Sequence, residues 1–89
     1  MNAPLLIAER REARVLAKRA VGLAFHEQLG RGPRRAEPLY CLDRGLWLAL
    51  LAAIERRLGI TFSDEDIEFV ETEADLAERG ALALMRRRA

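Results

Sequence analysis

The 89-residue sequence has few of the residue types from which enzyme sites are built. It contains one cysteine, one histidine and one serine, which are Cys41, His26 and Ser63. A single cysteine cannot form an intramolecular disulfide, and one cysteine with one histidine cannot supply the ligands of a zinc-type site. His26 also has no sequence partner for a nucleophile and base pair. We therefore predict a non-enzymatic protein without metal or other cofactor.

Long apolar runs are absent too. Arginine and glutamate interrupt every apolar stretch before it reaches the roughly 20 residues that a membrane-spanning helix needs. Residues 1–8 show neither the basic start nor the cleavage pattern of a signal peptide. We expect a cytoplasmic protein that has no contact with membranes.

The net charge of +1 conceals an asymmetry between the halves of the chain. Residues 1–44 carry nine Lys and Arg against five Asp and Glu, while residues 45–89 carry six against nine. Residues 64–78 form an acidic block that contains no basic residue. Such a block favours a solvated helical face or a docking surface for a basic partner. A small nucleic-acid-binding protein that uses the basic half is a further alternative, although the near-neutral charge disfavours it.

The segment from Pro4 to Leu29 has a helical pattern, with Asn2 as its N-cap and Gly30 as its stop. It carries two apolar rows where a four-helix domain needs one. We therefore predict that residues 1–19 form a helical extension and that residues 4–25 build a homodimer or a tight complex with another protein. The rows are Val21, Ala24, Phe25 and Leu29, and beside them Leu16, Ala20 and Leu23.

Residues 30–45 are predicted to form a loop from which Leu39 and Tyr40 return to the core. Asp43 is the predicted N-cap of a second helix over about 45–58, which Gly59 ends. The inward residues of this helix are predicted to be Trp47, Leu50, Leu51, Ile54 and Leu58.

Two capping patterns follow. Ser63 and Asp66 predict a capping box that opens a short helix, with Ile67 and Val70 inward and Phe69 at the edge. Residues 72–75 repeat the pattern before a last helix whose apolar positions are Leu76, Leu82 and Met85. The prediction is an all-α, four-helix, single-domain protein over residues 1–89.

Two segments resemble acyl carrier proteins. Phe25-His26-Glu27-Gln28-Leu29-Gly30 is similar to the end of a carrier's first helix. Ala53-Ile54-Glu55-Arg56-Arg57-Leu58-Gly59-Ile60-Thr61-Phe62-Ser63-Asp64-Glu65-Asp66 is similar to the exit of its second helix. The resemblance covers roughly residues 20–85 and implies a four-helix carrier fold.

The resemblance also implies a serine at the start of the second helix, where a carrier holds its phosphopantetheine arm. Counting back without gaps from the second-helix exit places Asp43, Arg44 and Gly45 there, so Arg44 occupies the serine position. Ser63, Thr61 and Thr72 all lie downstream, and no shift of register supplies a hydroxyl group. Arg56 and Arg57 stand where many carriers have acidic residues that dock onto enzymes.

Two further residues near this position have alternative interpretations. Cys41 could carry an acyl group directly as a thioester if a nearby cation lowered the pKa of its thiol, but a small apolar filler is favoured. Trp47 is predicted to be a core residue, with an exposed docking anchor as the alternative. The arginines at 31, 34, 35 and 44 could bind phosphate or an acidic protein, or simply be solvated.

The preferred hypothesis is a carrier-like protein without carrier chemistry, which acts as an accessory or regulatory subunit of a biosynthetic enzyme assembly. A genuine carrier with an atypical attachment site such as Cys41 is the alternative. The predicted partner-docking residues are Leu16, Leu23, Arg44, Trp47, Arg56 and Arg57.

Overall fold

A computed structural model describes the backbone of residues 3–88 and the side chains of residues 7–88. The described part is all-helical, as predicted, and contains no strand. Its four α-helices are α1 (Ala3–Leu29), α2 (Arg44–Leu58), α3 (Asp64–Ile67) and α4 (Glu73–Arg88). A short 3-10 helix, Leu39–Cys41, interrupts the loop before α2 and was not predicted. The proposed cap Asn2 lies outside the described residues.

The boundaries of α2 follow the predicted capping residues. Asp43 has extended backbone angles, and its carboxylate accepts a hydrogen bond from the Leu46 N–H at 2.9 Å. This bond satisfies an N–H that has no partner within the helix. At the other end Gly59 adopts the left-handed conformation with φ 64°, which glycine reaches without steric cost.

The capping boxes of α3 and α4 are present as well. Ser63 Oγ accepts from the Asp66 N–H at 3.2 Å, and Asp66 Oδ2 accepts from the Ser63 N–H at 2.7 Å. Thr72 and Asp75 exchange the equivalent pair of bonds at 3.4 and 3.1 Å. These short polar motifs determine where the two helices begin.

Helix α1 is about 40 Å long at the usual rise per residue, close to the 43 Å long dimension of the described molecule. Its residues 7–12 are all exposed, and burial begins at Ala13. The helix therefore projects from the core over residues 7–12. The projection is shorter than the expected extension over residues 1–19, because Ala13 and Ala17 are fully buried.

Helices α1 and α4 run antiparallel and pack through small side chains. Glu12 pairs with Arg88 at one end of the contact, while Ala17 lies beside Gly80 further along α1. A Cβ atom on Gly80 would lie 3.5 Å from Ala17 Cβ and 3.3 Å from Leu58 Cδ1. Gly80 costs helix propensity, but it allows the close approach of these helices.

The close approach changes which residues of α4 are buried. Leu82 was predicted to be one of its apolar core positions and is instead 44% exposed. Ala81, Ala83 and Leu84 are buried in its place. Small residues face α1 because little space is left between the helices.

The second apolar row of α1 is largely used within the chain. Ala20 is buried, Leu16 is half-buried against the α1–α4 cluster, and only Leu23 is exposed. The prediction that a whole row is left over for a partner is therefore wrong for Leu16 and Ala20. The main core joins α1, α2 and α4 through Val21, Ala24, Phe25, Leu39, Leu50, Leu51, Ala53, Ile54 and Leu76.

Candidate functional site

The first turn of α2 carries Asp43, Arg44 and Gly45 without a hydroxyl group among them. Asp43 is occupied as the helix cap, and a Cβ atom on Gly45 would lie 3.3 Å from its Oδ1. Gly45 therefore leaves room for the capping carboxylate. Arg44 is exposed, and no salt bridge involves it within the described part of the chain.

A cleft of about 320 Å³ lies beside this turn. It is open to solvent, and most of its walls are apolar. Trp47 is half-buried, since it packs on the main core and also forms part of the cleft wall. The cleft is lined by Leu39, Tyr40, Leu42, Arg44, Trp47, Ile67 and Val70.

Hydrogen bonds hold the walls of the cleft together. The Leu39 N–H donates to the Glu71 carbonyl oxygen at 2.8 Å and joins the 3-10 helix to the segment before α4. On the α2 side, Glu55 Oε2 accepts from the Phe62 N–H at 2.8 Å. This bond ties α2 to the segment that leads into α3, whose Ile67 lines the cleft.

The loop before the cleft is fixed by Glu37. Its carboxylate accepts two hydrogen bonds from the Arg31 guanidinium, at 2.8 and 2.5 Å, and one from the Arg34 N–H at 3.0 Å. These bonds, with Arg31 as the largest contributor, lower the pKa of Glu37 to about 2. The loop arginines are thus not a uniform phosphate-binding group, because Arg31 is already paired.

The 3-10 helix turns its first residue inward and leaves the next two exposed. Leu39 is buried, as predicted, but Tyr40 is 76% exposed and does not return to the core. Cys41 is also exposed, so its interpretation as a small apolar filler is wrong. Its backbone N–H donates to the Pro38 carbonyl oxygen at 3.4 Å. The tyrosine ring therefore stands at the edge of the cleft.

Two of the three predicted docking arginines of α2 face another part of the surface. Arg56 and Arg57 both pair with Glu27 of α1, at 3.5 and 3.0 Å. These exposed pairs contribute little stability individually. Leu23 is exposed on α1, where His26 is exposed as well. The structure does not bring Arg56, Arg57, Leu16 or Leu23 into the lining of the cleft.

The acidic block is not a uniform docking surface. Asp66 is only 6% exposed, caps α3 and receives two hydrogen bonds from Arg86 at 3.2 and 2.9 Å. The Arg86 guanidinium is the main reason that the pKa of Asp66 is lowered to about 2. Asp75 is engaged at the start of α4, and its backbone hydrogen bonds lower its pKa too. The exposed acids of the block remain available to solvent or a partner.

Sequence patterns did not reveal that Ile67 and Val70 would form the second wall of a cleft. Both were predicted to point inward, and both are only partly buried against the core. Phe69, between Glu68 and Val70, is 76% exposed. The sequence did contain a signal for the exposure of Phe69, because an aromatic residue in a short acidic helical segment has little core to enter.

The described residues contain no cluster of three or more side chains suited to hold a metal ion, and no helix among them is long and apolar enough to cross a membrane. The chain matches no protein-family model, no curated protein and no solved structure.

Proposed function

We propose that this protein is an accessory or regulatory subunit of a biosynthetic enzyme assembly and that it acts by binding. The observation that carries the proposal is the apolar cleft beside the first turn of α2, with Tyr40 exposed at its edge. Apolar clefts that contain aromatic and arginine side chains are typical of protein-binding surfaces. The resemblance to acyl carrier proteins supports a biosynthetic enzyme as the partner.

The arrangement of hydroxyl groups supports binding over carrier chemistry. A carrier needs a hydroxyl group at the start of its second helix to hold the phosphopantetheine arm. Arg44 stands at this position, while Ser63 Oγ is engaged in the capping box of α3. Attachment would require a site outside the one that the family uses.

The exposure of Cys41 supports a second candidate, a carrier that uses a thioester on this residue. The accessible thiol beside the cleft could attack the carbonyl carbon of an acyl thioester. The acyl group would then be on Cys41, and the thiol of the donor would be released. If the wild-type chain gains the mass of an acyl group and Cys41→Ser does not, the result would support this candidate and contradict a function through binding alone.

Self-association through α1 is also part of the proposal. Ile7, Val15 and Leu23 are exposed on this helix at 55, 64 and 42%. They give α1 some apolar surface, although Leu16 and Ala20 are no longer available. The alternative is that a different protein binds to the same helix.

The cleft can be tested by affinity capture from cells that produce the protein naturally. The wild-type chain is compared with Tyr40→Ser, which removes an exposed ring without opening the core. Arg35→Ser, at an exposed loop residue outside the cleft lining, is the control.

We expect subunits of one biosynthetic enzyme to be retained by the wild-type chain and by Arg35→Ser, and to be depleted at least several-fold with Tyr40→Ser. Identical protein sets from all three baits would contradict a role of the cleft in binding.

A further inference from the structure

Helix α2 has an unusual distribution of charge. Its ten consecutive residues 45–54, Gly-Leu-Trp-Leu-Ala-Leu-Leu-Ala-Ala-Ile, contain no charged side chain and no polar one other than the tryptophan N–H. A helix that is apolar on all sides is normally buried on all sides. Only one side of α2 faces the core, through Leu50, Leu51, Ala53 and Ile54.

The other side is the outer face of α2, which we define as Gly45, Leu48, Ala49 and Ala52. Leu48 is 52% exposed, Gly45 is exposed, and the two alanines are half-buried. An exposed leucine alone would be ordinary. Here it lies on a helical face without any polar side chain, so water covers apolar surface along about two turns.

Two opposite charges flank this face. Arg44 and Glu55 are eleven residues apart, which is about three helical turns, so they lie on the same flank of α2 at its two ends. Arg44 has no salt bridge within the described residues. Glu55 uses Oε2 for the Phe62 N–H, and a carboxylate has a second oxygen that can accept a guanidinium.

We propose that the outer face of α2 binds the same face of a second copy of the chain, with the two helices antiparallel. A twofold axis through the middle of the uncharged segment places Arg44 of each copy beside Glu55 of the other. The contact then contains two equivalent ion pairs around a centre of Leu48 and alanine side chains. Small residues at this centre let the helix axes come within the usual packing distance.

The charge pattern favours a second copy over an unrelated helix. A twofold contact requires a patch that is complementary to itself, and an Arg and a Glu at opposite ends of one flank meet this condition. The opposed dipoles of two antiparallel helices also favour this twofold contact. The inference does not depend on the proposed role in an enzyme assembly, and it differs from dimerization through α1.

The contact area is limited because a 15-residue helix is only about 22 Å long. A single helix pair lies at the lower end of the size range of specific interfaces. We expect a reversible dimer with a Kd on the order of 10 to 100 micromolar.

Sedimentation equilibrium over a concentration series tests the contact. Leu48→Glu should abolish the dimer, because it buries an unpaired charge at the centre of the interface. Leu82→Glu is the matched control, since Leu82 is an exposed helical leucine of similar exposure, 44 against 52%, on α4 and outside every proposed contact. It should leave the dimer unchanged, and circular dichroism confirms that both variants are helical.

A charge exchange gives a test that does not depend on Leu48. Arg44→Glu and Glu55→Arg should each weaken self-association at least tenfold, because each places like charges opposite one another. An equimolar mixture of the two variants should form heterodimers, because their ends are again complementary.

A wild-type chain that is monomeric at several times the expected Kd would overturn the proposal. A dimer that survives Leu48→Glu, or that is lost with Leu82→Glu alone, would do the same. None of these outcomes changes what is expected of the cleft in its capture experiment, so the two proposals are tested separately.

Discussion

Replacing Gly80 by valine tests the packing of α1 against α4. A Cβ atom at this position would lie 3.3 Å from Leu58 Cδ1 and 3.5 Å from Ala17 Cβ. Favourable carbon–carbon contacts lie at about 3.5 to 4.0 Å, so the first added atom already fills the space. Valine adds two more methyl groups, and its χ1 angle is nearly fixed in a helix.

The expected cost follows from these distances. Overpacking of this kind costs about 1 to 3 kcal/mol, and the better helix propensity of valine returns only a few tenths. We expect Gly80→Val to lower the free energy of unfolding by about 2 kcal/mol, which corresponds to a fall in Tm of roughly 8 to 16 °C for a chain of this size. Urea denaturation followed by circular dichroism measures the change.

Gly22→Val is the matched control. Gly22 also lies within a helix, but a Cβ atom there would meet nothing within 4 Å. The same substitution should change the stability by less than about 0.5 kcal/mol. Equal stability of the two variants would refute the close packing of α1 and α4 around Gly80.

Two other predictions concern Asp66 and Arg44. Asp66→Asn should cost about 1 to 2 kcal/mol near neutral pH, because it removes the carboxylate that pairs with Arg86, whose own side chain is largely exposed. The pKa of Asp66 is lowered from 3.8 to about 2 in the folded chain, so this contribution is complete above about pH 4 and is lost as the pH falls to 2. Urea denaturation at several pH values should show the difference between wild type and variant closing over this interval, and a constant difference would contradict the ion pair. Arg44→Ser should remain a poor substrate for a phosphopantetheinyl transferase, because Gly45 replaces the apolar residue that follows the serine in carriers; efficient modification, seen by intact mass, would show that the recognition surface is present.

Helix boundaries could be predicted because capping depends on residues close together in the sequence. Asp43, Gly59 and the Ser63–Asp66 pair act within one turn, and their hydrogen bonds need no information about distant helices. The same locality explains why α1 was predicted to end before Gly30, as it does.

Burial on α4 could not be predicted in the same way. Helical spacing favoured Leu82 as a core residue because it is large and apolar. The structure buries Ala81 and Ala83 instead, because the distance between α1 and α4 is set by Ala17 and Gly80. Such a preference for small residues depends on which helices become neighbours.

The cleft itself was not predicted from the sequence. The sequence indicated the first turn of α2 and Trp47, both of which the structure places at the cleft. It did not indicate that a 3-10 helix would turn Tyr40 outward while Leu39 enters the core. The orientation depends on the bond between Leu39 and Glu71, which joins residues far apart in the chain.

The central claim is that the chain acts by binding and carries no phosphopantetheine arm. The most direct test is the intact mass of the wild-type protein after incubation with a phosphopantetheinyl transferase and coenzyme A, with a carrier that has its serine as the positive control in the same reaction. The account predicts an unchanged mass while the control is fully converted. A mass increase equal to one phosphopantetheine group on the wild-type chain would contradict it.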